Sequence, residues 1–591
     1  MVEEPIPIAA GAADVCPEAV ARSVFERHYR LGAILLLSLM AAVQLACALL
    51  DSQVVDESYH LTAGYEFLKT GKLNAETEHP PLAQAVSALP LLFLGLREPR
   101  AAGPHYTEAQ RDIDFVYHNN APADRILLAA RCVHILFPLA LGWLLAWWMR
   151  RYFGAKAALA ALTLLVFDPG FLAHGHYATT DVPGALGFFA ACLSWHAFLR
   201  SGRPRHAALC GVAAALAMAT KYSAILLFPT FVYLYGLAWC RQAGLPGKPP
   251  FRYSLRHMTT GLAMVALTMA PVLYVAFGFE AGPLVTLSGP REPGPGWAQA
   301  PAALRWVAEK IPIPAPSMLH GLFMLTRHDL GGHVAYLLGQ PGVNGWWYYF
   351  PVVLAVKTPT GVLLLLALAM AAVAAAMLHG GAAKLRRLPL EWHVLVFPPL
   401  FYLFIAMRSH IDIGLRHILP LCPFAMAGIA AVLFADVRRQ RFFSRAAAIC
   451  LALAVVESAA AFPRYLAFFN LPSGGSAQGW RYVVDSNLDW GQDGKRLQSY
   501  VARRGIARVC LAGFSATPPE YYGFPVLPLP SGREQALAAG CVVAASITHV
   551  VEWPYWGPEF AWLAHTQPTD RVGDSFWIYD PAAPGLPRAV K

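Results

Sequence analysis

Charge is scarce in this sequence. Asp, Glu, Lys and Arg make up 14% of its 591 residues and 57% are hydrophobic, whereas a soluble domain carries roughly 25% charged residues. A soluble enzyme and a nucleic-acid-binding chain are thereby excluded, and the chain reads as a mainly α, polytopic membrane protein. Its ten cysteines show no Cys-x-x-Cys and no repeated spacing, which points to neither a zinc site nor a disulfide framework. Cys510 and Cys541 lie outside the apolar runs; they either pair in an oxidising compartment or stay as two free thiols. No glycine-rich phosphate loop is present, so a nucleotide-sugar site has no sequence support. Internal repeats of the kind that build transporters from inverted halves are also missing. No small-x-small cleavage site precedes residue 51, so residues 31–50 read as a retained first span.

What is there is an ordered alternation. The formal charge of +10 comes from Lys and Arg clustered between apolar runs, the pattern of cytoplasmic loops. Arg22, Arg27 and Arg30 place the N terminus inside, with residues 1–30 as a disordered tail. Residues 31–463 form the membrane domain with about 11 spans on a spanning-length criterion. The spans include 126–149 and 155–167. A first outside loop covers 51–124 and is expected to hold a surface helix from Pro80 to Leu96. A long outside loop covers 280–345, with short helices expected at Ser317–Leu325 and Gly331–Leu338. Residues 464–591 contain short apolar runs between Gly and Pro turns, which predicts a small α/β domain outside the membrane.

The informative residues break the orientation rule. Asp56 and Glu57 follow directly on the first span, where acids are costly unless used; taken alone they read equally well as a solvated helix cap. Asp181 stands in the next outside turn. Arg408, Arg416 and His417 are cations on the acidic side, and Lys357 sits inside an apolar run, either snorkelling or paired with an anion. Carboxylates and cations at one depth suit a lipid-linked phosphate. The cations would hold the phosphate, and a carboxylate would act as base on an incoming hydroxyl. A flippase for lipid-linked sugar and a non-catalytic envelope assembly protein are the competing readings.

An ordered series of motifs sharpens this expectation: Asp56-Glu57 with Tyr59 and His60, Glu78-His79-Pro80-Pro81-Leu82, Ala178-Thr179-Thr180-Asp181-Val182-Pro183, Ala219-Thr220-Lys221-Tyr222-Ser223, Gly345-Trp346-Trp347-Tyr348-Tyr349-Phe350-Pro351, Gly414-Leu415-Arg416-His417 and Asp485-Ser486-Asn487-Leu488-Asp489-Trp490. From about residue 30 to about 500 the chain resembles bacterial glycosyltransferase family 39, which includes the protein mannosyltransferases and the lipid A aminoarabinose transferase. The resemblance implies a C-type glycosyltransferase fold in the bacterial inner membrane. It implies an active site on the periplasmic face and a polyprenyl-phosphate sugar as donor. A hexose or pentose would pass, with inversion, to a lipid, glycan or protein hydroxyl.

Carried over by position, Asp56 is the expected base, Glu57 its partner and Asp181 the second acid. Lys221, Lys357, Arg416 and His417 match positions near the donor phosphate, with Arg408 added on charge. Tyr59, His60, Trp346 and Trp347 line the loops. Glu78 and His79 match a segment that holds a divalent metal in some relatives, with His320 or His333 as a further ligand; no cofactor is otherwise implied. The 280–345 loop is too short for the β-trefoil domain of the protein mannosyltransferases, which turns the expectation away from protein acceptors. Asp485, Asn487, Asp489 and Trp490 read either as the acceptor entrance or as packing of the outer domain.

Overall fold

In the computed structural model, residues 24–73, 78–100, 103, 106–243, 254–286, 297–380, 388–435, 441–515 and 517–583 are described. The tail to residue 23, the Gly289–Gly296 run and the basic clusters at Lys248–Arg252, Lys384–Arg387 and Arg438–Arg439 lie outside them.

Long apolar runs fold as helices because a hydrocarbon environment leaves backbone groups no partners but each other. Among the described residues seven helical segments are long and apolar enough to cross a membrane: Val24–Leu50, Ala123–Val166, Asp181–Ser201, Tyr222–Cys240, Leu255–Ala276, Thr360–Leu378 and Leu415–Phe434. The chain is a multi-pass membrane protein. The runs at 126–149 and 155–167 fall in one stretch that breaks at Gly154, whose φ of 87° only glycine adopts freely. The helices approach closely at small residues. A Cβ on Gly187 would stand 2.8 Å from Ala217 Cα, as expected where dispersion rather than hydrophobicity drives helix association.

Two expectations in the outside loops change. The Pro80–Leu96 segment is a short helix, Pro81–Ala88, followed by a 3-10 turn, Leu89–Phe93. It is largely buried against the helix Val55–Thr70: a Cβ on Gly64 would stand 2.2 Å from Gln84 O. Of the two helices expected in the 280–345 loop, the first extends over Pro316–Gly331. The second is instead an antiparallel hairpin, Ala335–Leu337 with Gln340–Gly342. Gly332 (φ 76°) ends the helix, and Leu338 and Gly339 both take positive φ in the two-residue turn, the geometry that matches strand twist.

Outside the spans, a five-stranded sheet runs in the order Val526–Leu527, Val509–Ala512, Val542–Ser546, Phe576–Tyr579, Asp570–Val572. The first three strands are parallel and the last two pair antiparallel. Cys510 and Cys541, at the start of adjacent parallel strands, form a disulfide. Tyr465, Leu466, Phe469, Val483, Leu488 and Trp490, which precede the sheet, are buried in one core with the spans and with sheet residues such as Val543 and Tyr579.

Candidate active site

Asp56 lies in the first turn of the helix Val55–Thr70, six residues past the end of the first span. Asp181 opens the span Asp181–Ser201, Lys221 immediately precedes Tyr222–Cys240, and Arg416 is the second residue of Leu415–Phe434. Four span ends therefore meet at one place. Arg416 Nη1 donates to Asp56 Oδ2 at 2.6 Å and stands 3.9 Å from Asp181 Oδ2. Lys221 Nζ donates to Asp181 Oδ1 at 2.5 Å, and the Thr179 hydroxyl to Asp181 Oδ2 at 3.2 Å. Asp181 is buried, whereas the Asp56 side chain keeps 23% of its exposure. Asp56 is therefore the acid an entering molecule can reach. Among the described residues, Arg416 Nε and His417 Nε2 are buried without a hydrogen-bond partner.

The surroundings tune Asp56. Burial raises its carboxyl, and opposing charge led by the Arg416 guanidinium outweighs that and holds it below the ordinary carboxylate range. Burial pushes the His60 ring down to about 3, so it is neutral, and its Nδ1 accepts from Gln84 Nε2 at 3.1 Å. The rings of Tyr59 and His79 stand 5.2 and 4.9 Å from that of His60. Burial lifts the Asp485 carboxyl to about 6, against the lowering charge of Arg416.

Glu57 does not accompany Asp56. It is fully buried and takes a two-pronged ion pair from Arg131, Nε at 2.8 Å and Nη2 at 2.6 Å. The Ala178 N–H donates to its Oε1 at 3.1 Å. Glu57 thus ties the loop after the first span to the turn that presents Asp181. Arg131 also donates to the carbonyls of Ala48, Asp51 and Ser52. Beside it, Asp51 accepts from Tyr177 Oη, His176 Nε2 and Arg496 Nη2 at 2.7, 3.2 and 2.8 Å.

The remaining candidates spread out. Lys357 is buried and donates to the carbonyls of Leu466 and Asn487 at 2.7 and 2.6 Å. Arg408 is exposed over the Phe404 ring. Among the described residues neither makes an ion pair with Asp56 or Asp181. The Trp346 N–H donates to Asp412 Oδ2 at 2.6 Å, and Trp347 is exposed. Glu78 Oε2 accepts from His328 Nδ1 at 3.0 Å, while the His79 ring turns to His60. His333 Nδ1 lies 2.7 Å from its neighbour's carbonyl, Val334 O, and His320 is buried on the Pro316–Gly331 helix. Among the described residues no group of three or more His, Cys, Asp or Glu side chains converges as a metal site would require.

Two participants were not singled out for this place. Arg131 stands in an apolar run, the same signal that marks Lys357. Trp490 lays its ring 4.3 Å from the Arg416 guanidinium carbon, a contact across 74 positions that no local pattern encodes.

Residues 124–277, which include Asp181 and Lys221, match the family model described as dolichyl-phosphate-mannose-protein mannosyltransferase. No curated protein matches the chain. Among solved structures, ArnT from Cupriavidus metallidurans bound to undecaprenyl phosphate is similar at 14% identity, covering 93% of this chain and 98% of that one, with a TM-score of 0.42. The mycobacterial arabinofuranosyltransferase AftD is similar at 11% identity over 86% of this chain and 35% of that one, with a TM-score of 0.36. The Archaeoglobus fulgidus oligosaccharyltransferase, in complex with zinc and sulfate, is similar at 11% identity over 87% and 68%, TM-score 0.36.

Proposed function

We propose that this chain is a membrane glycosyltransferase of the C-type fold that moves a sugar from a polyprenyl-phosphate donor to an acceptor hydroxyl at the periplasmic face of the inner membrane. The observation that carries the reading is the Arg416 guanidinium, held between Asp56 and Asp181 where four spans end, with Nε buried and unpaired among the described residues. A buried cation with a free donor is suited to an anion. The family match over residues 124–277, which places Asp181 and Lys221 within it, supports the same class. The disulfide Cys510–Cys541 suits an oxidising compartment for the C-terminal sheet, and with it an inside N terminus.

In this reading the donor phosphate enters beside Arg416 Nε and His417 Nε2, with Lys221 completing the positive wall. The phosphate draws Arg416 away from Asp56, whose carboxylate gains proton affinity as its counter-charge is shared. Asp56 then takes the proton of the acceptor hydroxyl as its oxygen bonds to the anomeric carbon. The bond from that carbon to the phosphate oxygen breaks, and the polyprenyl phosphate leaves with the electron pair, held by Arg416 and Lys221. Attack opposite the leaving phosphate inverts the anomeric centre. Asp181 holds Lys221 and keeps Arg416 centred; Glu57 and Arg131 fix the two acidic segments to each other.

The test uses the purified full-length chain in lipid nanodiscs, labelled polyprenyl-phosphate sugars and a membrane extract as acceptor. Transfer by the wild type that falls sharply in Asp56→Asn is expected. Undiminished transfer in Asp56→Asn removes Asp56 as the base, and no transfer from any donor by folded protein removes the enzymatic reading.

A further inference from the structure

The stretch Asp485–Gln492 lies outside every apolar span, yet it touches both walls of the site. Toward the first wall, the Trp490 carbonyl accepts from the Val55 N–H at 3.0 Å and the Gln492 carbonyl from the Ser52 N–H at 2.9 Å, just ahead of Asp56. Toward the second, the Ser486 hydroxyl donates to the Ile413 carbonyl at 2.6 Å, and Asn487 Oδ1 accepts from the Leu415 N–H at 3.0 Å, just ahead of Arg416. A Cβ on Gly414 would stand 2.1 Å from Ser486 Oγ, so this approach requires glycine.

Asp485 opens the stretch with φ 54°, a left-handed turn that aspartate tolerates better than most residues. On the side away from the membrane the stretch is tied to the sheet. Asp489 Oδ2 accepts from the Ser546 hydroxyl, and the Asp485 N–H donates to Thr548 Oγ1 at 3.2 Å.

Between the two walls lies the Trp490 indole, fully buried, with the Arg416 guanidinium carbon 4.3 Å from its ring centroid. The rings of His174 and Tyr177 stand 5.7 and 6.1 Å from it in edge-on contact, so the indole is braced. An aromatic face attracts a planar guanidinium and also fixes its plane. With Nη1 committed to Asp56, that plane decides where the unpaired Nε edge points.

We propose that Trp490 is a positioning residue for phosphate recognition: its indole presents the free edge of Arg416 to the incoming phosphate and makes the C-terminal segment part of the donor site. The proposal rests on the reading of Arg416 as the phosphate-holding cation.

The experiment measures binding of undecaprenyl phosphate and of the uncharged alcohol undecaprenol to the full-length chain in nanodiscs. The wild type, Trp490→Leu and Trp490→Phe are compared. The wild type is expected to prefer the phosphate. Trp490→Leu is expected to bind the phosphate about tenfold more weakly, with alcohol binding unchanged, and Trp490→Phe to fall between the two. A Trp490→Leu chain that keeps the wild-type preference overturns the proposal, as does equal loss of both probes, which marks a purely structural role. Should Trp490→Leu not fold, Trp490→Phe decides alone: unchanged phosphate preference overturns the proposal. A wild type that binds both probes alike removes the reading of Arg416 together with the proposal, an outcome distinct from the others.

Discussion

Arg416 Nη1 lies 2.6 Å from Asp56 Oδ2, although the two residues are 360 positions apart. In the proposed reaction the base is stored as one half of this ion pair, and the charge of the donor phosphate is what would release it.

Removal of the acid tests this directly. Asp56→Asn preserves shape and hydrogen bonding to Arg416 but cannot take a proton, so kcat is expected to fall by a factor of about 100 to 10,000. Donor binding should stay near wild type in the same preparation, measured by undecaprenyl phosphate retention.

The ion pair also sets a pH limit. Because opposing charge led by Arg416 outweighs burial and lowers Asp56 in the free chain, its carboxylate stays ionised below the ordinary value of 3.8. The acid limb of kcat/KM, which reports the free enzyme, is expected below that pH. The acid limb of kcat should lie higher, because bound phosphate shares Arg416. Coincident limbs would contradict the release of Asp56.

Glu57 is expected to act through stability. Glu57→Gln leaves Arg131 as an uncompensated buried charge, which costs about 3–5 kcal/mol and should appear as a lower midpoint of thermal unfolding. Arg131→Met should cost a similar amount by stranding Glu57. If Glu57→Gln instead abolished transfer at unchanged stability, Glu57 would belong to the chemistry.

The pair Glu78–His328 links the first outside loop to the helix Pro316–Gly331. Its hydrogen bond is the largest influence on each partner, raising His328 above 6.5 and lowering Glu78 below 4.5. The His328 contribution is complete below pH 6.5 and is lost as pH rises through its raised value. The Glu78 contribution is complete above pH 4.5 and is lost as pH falls through its lowered value. Protection of this helix against amide hydrogen exchange should therefore be greatest between about pH 4.5 and 6.5 and decline above. Glu78→Gln should flatten that decline.

The disulfide between Cys510 and Cys541 closes a loop of sequence separation 31, for which chain entropy gives about 3–4 kcal/mol. Cys510→Ser should lower the unfolding midpoint of the C-terminal sheet, and non-reducing peptide mapping of the wild type should recover the two segments joined.

Much of this was legible in the chain, for a physical reason. Acids beside a span and cations on the acidic side are expensive, so Asp56, Asp181 and Arg416 stand out against a background with little charge; Lys221 enters through the motif resemblance, and the structure brings these four together. Adjacency in sequence misled at Glu57: neighbouring helical residues point about 100° apart, so one acid faces the site and the next faces Arg131. Lys357 and Arg408 lie apart from that cluster, their charge met by backbone carbonyls and by an aromatic face. The helix expected at Gly331–Leu338 failed because turn chemistry at Leu338 and Gly339 outweighs a short apolar run.

The separation of partners along the chain has a consequence for biosynthesis. Glu57 meets Arg131 across 74 positions, whereas Asp56 must wait for Arg416 across 360, and the stretch that braces Arg416 is made later still. As the chain is threaded into the membrane, the costly buried carboxylate is neutralised early. Asp56, the base of the proposed reaction, is left without Arg416 until more than two thirds of the chain has been made, so a product stalled before residue 416 carries Asp56 but not its partner.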